Sequence, residues 1–283
     1  MISKIEVYSP KTLQEAYLYL QHLHGRAKVL AGGTDLMVQL HDRLLVAPVY
    51  VNIWGLNELR GIEDTGESLR IGALTTYTQL IRSPLVRQYC PILIEAAQAI
   101  GGIQIQNRGT IGGNIVNASP AGDTLPILAV FEAQLELGSH HGIRVVPFNE
   151  FYTGYRQTIL GPDELVVAIH LPKPSPSDRL FFQKVGSRQA MIISKVVIAV
   201  KAWVDGQKRI RSIQIAAGSV APTVIRLRQT EALLQGQVLT PELIESARQS
   251  AMHEVRPITD VRSTEHYRRT ITGNILSKFL CQL

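Results

Sequence analysis

The sequence predicts an α+β protein of two domains, the first spanning residues 1–176 and the second residues 177–283. Three observations carry this reading. Residues 172–178, "PKPSPSD", alternate three prolines with polar residues, which is linker composition. The charge changes sign across that stretch: residues 1–176 hold 13 Lys/Arg against 15 Asp/Glu, and residues 177–283 hold 16 against 8. The pattern of elements changes too, from interspersed helices and strands to three strands followed by three helices. A chain of 283 residues is long enough for two cores.

The elements follow in order. "SPKTLQEAYLYLQHLHG" reads as a helix with Ser9 as N-cap and Pro10 at its first position. Leu13, Ala16, Tyr17 and Leu20 share one face, and Gly25 ends it. "KVLA" reads as a short buried strand, "TDLMVQL" as a helical turn, and "VYVNIW" and "SLRIGA" as strands. "TTYTQLIRS" and "SPLVRQYCPILIEAAQAIGG" read as helices, the second broken at Pro91. "AQLELGSHHGIRVVP" is two strands around a short turn, and "ELVVAIHLP" is a further strand. Beyond the linker, "LFFQKVG", "SKVVIAVKAWVD" and "RIRSIQIAAGS" are strands, the last two joined at Asp205-Gly206. "RLRQTEALLQG", "TPELIESARQSAMHEV" and "STEHYRRTITGNILSKFL" are helices.

Composition narrows the function classes. Hydrophobic residues make up 45% and charged residues 18%, which suits a packed core. There is no run of 18 apolar residues, so no membrane span is expected. The start, "MISKIEVYSP", lacks the apolar centre of a signal peptide. Two cysteines, Cys90 and Cys281, are too few for a disulfide framework or a cysteine-ligated iron–sulfur cluster. A cytoplasmic setting is the expectation. The basic surplus of residues 177–283 has no compact run, so nucleic acid is not the expected partner. A solvated face and a docking surface for an acidic protein both stand open, with Arg268 and Arg269 as candidate docking residues. The pairs His22/His24 and His140/His141 lack a neighbouring acid–cysteine set, and no metal site is expected. Ser119 lacks the context of a hydrolase nucleophile, and no catalytic residue is assigned.

Two glycine pairs stand out: "AGGTDL" at residues 31–36 and "TIGGNI" at residues 110–115. Adjacent glycines cost backbone entropy, so a pair at the end of a strand asks for a reason. Strand, Gly-Gly-Thr, helix start is a layout that points several backbone N–H groups at one place and favours an anion. Thr34 and Thr110 could add hydroxyl donors. Two such segments could grip the two sides of a pyrophosphate. The chain has neither a P-loop nor a G-x-G, so a dinucleotide would be held in another way. The second segment continues as "NRGTIGGNIVNASPAGDTLPIL", residues 107–128, whose small polar residues suggest backbone wound closely around a ligand. Asp123 is either a helix N-cap or an acceptor for a ligand hydroxyl or ring N–H.

"VLAGGTDLM" together with "NRGTIGGNIVNASPAGD" resembles the FAD-binding medium subunit of the molybdenum hydroxylases, the family of xanthine dehydrogenases and aerobic carbon monoxide dehydrogenases. "RSTEHYRR", residues 262–269, resembles the end of their C-terminal domain. The resemblance covers essentially the whole chain. It implies a PCMH-type (vanillyl-alcohol-oxidase-like) FAD-binding domain of two subdomains, then a small C-terminal sheet-and-helices domain. It implies FAD contacts from Val29, Leu30, Ala31, Gly32, Gly33, Thr34, Asp35 and Leu36, and from Thr110, Ile111, Gly112, Gly113 and Asn114. It places Ile100 and Val116 near the flavin and Asp123 on a polar group of the cofactor. By position, Val166 and Lys184 join them; a cation there would stabilise reduced flavin, while Lys184 also reads as an exposed strand lysine.

The resemblance further implies a heterotrimer, dimerised, with a molybdenum-cofactor large subunit and a [2Fe-2S] small subunit. Electrons would pass from the partner clusters through FAD to NAD+ or another acceptor. Some relatives carry an extra cysteine-bearing insertion, which this chain lacks. The competing reading is a stand-alone flavin-dependent oxidase or reductase of the same fold, which would need its own substrate pocket.

Overall fold

The computed structural model describes residues 5–42, 47, 49–188 and 191–283. Among the described residues, three of the four sheets each organise a core. In the first, β1 (Glu6–Tyr8), α1 (Leu13–Leu23), β2 (Ala27–Leu30), α2 (Leu36–His41) and β3 (Val49–Asn52) form a parallel sheet in the order β1-β3-β2. Helix α1 starts later than its apolar pattern predicts. Its N-cap is Thr12, whose hydroxyl accepts from the Glu15 N–H at 3.2 Å. Thr12-x-x-Glu15 has the spacing of a capping box, and it outcompetes Ser9. The helix ends as expected, with His24 and Gly25 both at positive φ. Strand β2 is not buried as its apolar sequence suggests. It is an edge strand, and Val29 remains 36% exposed.

The second sheet is antiparallel. Its strands β4 (Ile62–Asp64), β5 (Ser68–Gly72), β6 (Gln134–Ser139) and β7 (Gly142–Pro147) are followed by a small hairpin, β8 (Tyr152–Gly154) and β9 (Gln157–Thr158), and then by β10 (Leu165–Pro172). The order is β4-β5-β10-β6-β7. Between β5 and β6 the chain runs through α3 (Tyr77–Arg82), α4 (Pro84–Tyr89), α5 (Pro91–Gln98), α6 (Ile103–Arg108), α7 (Ile111–Asn117) and α8 (Leu125–Val130). A Thr76/Gln79 capping box starts α3. Pro91 sits at the first position of α5, so the break falls at Cys90. Leu69, Ile71, Leu135, Leu137 and Ile169 of the sheet share one core with these helices.

The third unit is β11 (Asp178–Val185), β12 (Val196–Val204), β13 (Ile210–Gly218) and β14 (Ile225–Arg226), antiparallel in that order. Helices α9 (Arg228–Leu234), α10 (Pro241–Glu254) and α11 (Glu265–Leu280) cover one face. Val196, Ile198, Val200 and Ala202 alternate toward them, with Ile213 and Ile215 alongside. Ala199 and Ala216 point the other way, into the core of the second unit. Helix α8 lies in that junction, and all six of its residues are buried. Such a helix shows no polar face, which is why "LPILAV" carries no helical periodicity. Arg226 ties the seam, donating to Glu231 at 2.6 Å and to the Ala129 carbonyl at 3.2 Å.

Arg268 and Arg269 do not form the exposed docking pair considered above. Arg268 is 4% exposed and donates to the carbonyls of Lys195 and Ser219 and to Asp260, each at 2.8 Å. Arg269 donates to Glu265 and to the carbonyls of Met252 and Val255. Arg269 closes the end of α10 against α11, and Arg268 ties α11 to the segments beside β12 and β13. No helix among the described residues is long and apolar enough to cross a membrane.

Candidate cofactor site

A cavity of about 510 Å³ lies where the first unit meets the second. That is within the roughly 300–1,000 Å³ of a small-molecule or cofactor site. One wall is built where β2 ends. The chain turns through residues 31–35, Gly33 takes φ +80°, and α2 begins with the Met37 N–H donating to the Gly33 carbonyl at 2.9 Å. The other wall is α7. Here the structure differs from the strand-then-loop layout read from the sequence. A helix, α6, precedes the second glycine pair, and Thr110 is the N-cap of the next one. Its hydroxyl accepts from the Gly113 N–H at 3.1 Å, so Gly112 and Gly113 occupy the first turn of α7. Thr110 spends its oxygen on the cap.

The four glycines have different causes. A Cβ on Gly32 would overlap the backbone carbonyl of Arg108. A Cβ on Gly112 would stand 2.6 Å from the Ala73 Cβ and 2.7 Å from its carbonyl oxygen. At these two positions the chain itself is what comes close. Gly33 is needed for its positive φ. Gly113 alone faces outward, its nearest neighbour being the Thr110 hydroxyl of its own cap, 2.8 Å from an added Cβ.

The structure brings most of the expected site residues together. Val29 and residues 31–36 line one side of the cavity, and Thr110, Gly112, Gly113, Asn114 and Val116 line the other, with Ile100 and Val166 between. Leu30, Ile111, Asp123 and Lys184 lie outside the lining. Ile111 is fully buried among the helices of the second core, because successive residues of α7 cannot all face one cavity. Other wall residues carry no signal in the sequence. Tyr77, Ile105, Arg156 and Glu164 come from separate elements and converge through the topology alone. Arg156, beside the β8–β9 hairpin, donates to Asn117 at 3.0 Å, and Asn117 donates to Asp35 at 3.3 Å. This polar chain links the two sides across the mouth.

Asp123 is not an N-cap; that position of α8 is Thr124. The carboxylate instead pairs with Lys184, Nζ to Oδ2 at 2.6 Å, with both side chains 8% exposed. Lys184 also donates to the Ala99 carbonyl at 2.9 Å, beside Ile100 of the cavity wall. The lysine is therefore not an exposed strand residue. Burial pushes the Asp123 carboxyl up to about 6, against the opposing pull of Lys184. Its Oδ1 is buried without a hydrogen-bond partner. Thr124 donates to Asn114 at 2.7 Å, tying this region to α7.

These features suit FAD. Gly113 leaves a cradle that a Cβ would narrow. Val29, Ile105 and Val116 keep 36%, 37% and 41% of their surfaces exposed at the cavity, apolar area that an aromatic ring system would cover.

Comparison with known proteins agrees. Residues 3–174 match the model of the FAD binding domain in molybdopterin dehydrogenase, and residues 181–283 that of the CO dehydrogenase flavoprotein C-terminal domain. The chain is 36% identical over 260 residues to the putative xanthine dehydrogenase FAD-binding subunit of Escherichia coli K12, covering 89% of this chain and 88% of that one. It is 32% identical over 277 residues to the carbon monoxide dehydrogenase medium chain of Hydrogenophaga pseudoflava, covering 98% and 96%. The solved carbon monoxide dehydrogenase of that organism superposes with a TM-score of 0.93 over 98% of this chain and 96% of its own. Quinoline 2-oxidoreductase of Pseudomonas putida, at 23% identity, shares the fold with a TM-score of 0.90. Fold, cavity and sequence thus converge on one assignment: this chain belongs to the FAD-binding subunits of the molybdenum hydroxylase-type dehydrogenases.

Proposed function

We propose that this chain is the electron-transfer subunit of a heterotrimeric molybdenum hydroxylase, working with a molybdenum-cofactor large subunit and a [2Fe-2S] small subunit. Electrons enter from the partner clusters and leave to NAD+ or another acceptor. The observation that carries the reading is the cavity walled by both glycine segments, inside a domain of the FAD-binding family. The relatives named medium chain support it, since a medium chain implies other chains. Bound FAD supplies the step between one-electron donors and a two-electron acceptor.

This chain's residues bind and orient. The turn at residues 31–36 holds the cofactor's phosphates with backbone N–H groups and the Thr34 hydroxyl, while the first turn of α7, whose N–H groups at residues 111–114 are donated within the chain, closes the other side with Thr110 and the open face of Gly113. Val29, Ile100, Val116 and Val166 shield its rings from water. Asp123 and Lys184 set the polar environment at the Ala99–Ile100 end. The division at residue 176 separates the FAD-binding domain from a C-terminal domain that contributes Lys184.

The test is purification of the tagged chain from its native cells beside the same chain produced alone. The reading predicts co-purification of a molybdenum-containing and an iron–sulfur polypeptide. It predicts substrate oxidation by the assembly and none by the single chain. Substrate turnover by the single polypeptide, its purity verified by mass, would replace this reading with the stand-alone oxidase.

A further inference from the structure

Trp54, just beyond β3, carries two guanidinium groups over its ring. Arg60 Cζ lies 4.5 Å from the ring centroid and Arg108 Cζ 3.8 Å. Arg60 donates through Nη2 to the Trp54 carbonyl at 2.6 Å and through Nη1 to the Leu74 carbonyl at 3.1 Å. Arg108 donates through Nε to the Gly32 carbonyl at 3.4 Å, and its own carbonyl is the atom that excludes a side chain at Gly32. Each anchor adjoins the cofactor cavity. Gly32 and Leu74 are wall residues, as are Ile53 and Gly109, the chain neighbours of Trp54 and Arg108.

The charges are unbalanced. Among the described residues neither arginine has a carboxylate within salt-bridge distance. Burial, and then the charge of Arg108, hold the Arg60 guanidinium below its usual range. Two like charges over one indole, Arg60 half-buried and Arg108 open to solvent, with no carboxylate between them, favour a nearby anion. They also join the two halves of the cavity: Trp54 follows the first sheet, and Arg108 ends the helix that leads into α7.

We propose that Arg60, Trp54 and Arg108 form a cationic clamp behind the Gly32 turn that sets the spacing of the two glycine segments and draws in the diphosphate of FAD. The inference rests on the FAD reading above. The three act through Gly32, Leu74 and the field they create, as positioning residues.

The test is titration of flavin-free chain with FAD and with riboflavin, which lacks phosphate, at several salt concentrations, with thermal unfolding alongside. Arg108→Gln and Trp54→Leu are expected to weaken FAD binding about tenfold. Trp54→Phe, which keeps a π-face, is expected to stay within about threefold of the native chain. Riboflavin affinity is expected to change little, and the salt dependence of FAD binding to become shallower in Arg108→Gln. Native FAD affinity in Arg108→Gln, or equal losses for FAD and riboflavin, would overturn the clamp. A native chain that takes up no FAD would instead overturn the reading on which the clamp rests.

Discussion

Gly32→Ala is expected to leave the purified chain nearly free of flavin. The added Cβ runs into the Arg108 carbonyl. That atom is backbone, fixed between α6 and the Thr110 cap, and cannot rotate aside. The turn at residues 31–35 must therefore move away from α7, which widens the cleft meant to grip the cofactor. Overpacking of this kind costs about 1–3 kcal/mol in stability. The loss in FAD affinity is expected to be larger, roughly a hundredfold, because the two walls must close on one ligand. Gly113→Ala makes the informative contrast. Its Cβ meets only the Thr110 hydroxyl at 2.8 Å, a side-chain atom and not backbone, so a smaller loss is expected. The ratio of flavin to protein absorbance, read beside circular dichroism, checks both. Native flavin content in Gly32→Ala would show that the close approach at this position does not shape the site.

Lys184→Met is expected to destabilise the chain by about 3 kcal/mol near neutral pH, because it strands a buried carboxylate. The pH dependence follows from the direction of the Asp123 shift, from 3.8 up to about 6. The folded state holds a proton more tightly than the unfolded one. The stability contributed by Asp123 is therefore fully present below about pH 4 and is lost as the pH rises through about 6. Without Lys184 the folded-state value moves higher still, and the loss extends to higher pH. The deficit of Lys184→Met relative to the native chain should thus be larger at pH 8 than at pH 5, measured by urea unfolding without flavin. A deficit that does not change with pH would mean that the pair is not ionised in the native fold.

Much of this architecture was legible in the sequence, and the failures have physical causes. The strands after the linker were read because their alternating and β-branched residues face a sheet with helices on one side. Helix α8 is signalled only by a cap candidate one residue early, Asp123 for Thr124, because burial between two sheets erases the polar face that periodicity needs. The first glycine pair was read correctly as a turn between a strand and a helix. The second lies in the first turn of a helix, for which Thr110 has the cap chemistry. Both pairs suggested a ligand against the backbone. Gly32 and Gly112 instead answer to Arg108 and Ala73, a demand visible only once distant segments meet. A sequence does not show which arginine carbonyls will enclose, so Arg268 stands there as a docking or solvated residue and in the fold is buried. The Arg60–Trp54–Arg108 cluster had no local signal at all, since its members lie on three different segments.

The most direct test of the central claim is equilibrium titration of the flavin-free chain with FAD, followed by acid precipitation. Saturation is expected at about one FAD per chain, with the yellow colour released into the supernatant. Gly32→Ala is expected to fail to saturate under the same conditions. A chain that binds no FAD, or flavin that stays with the precipitated protein, would contradict the claim.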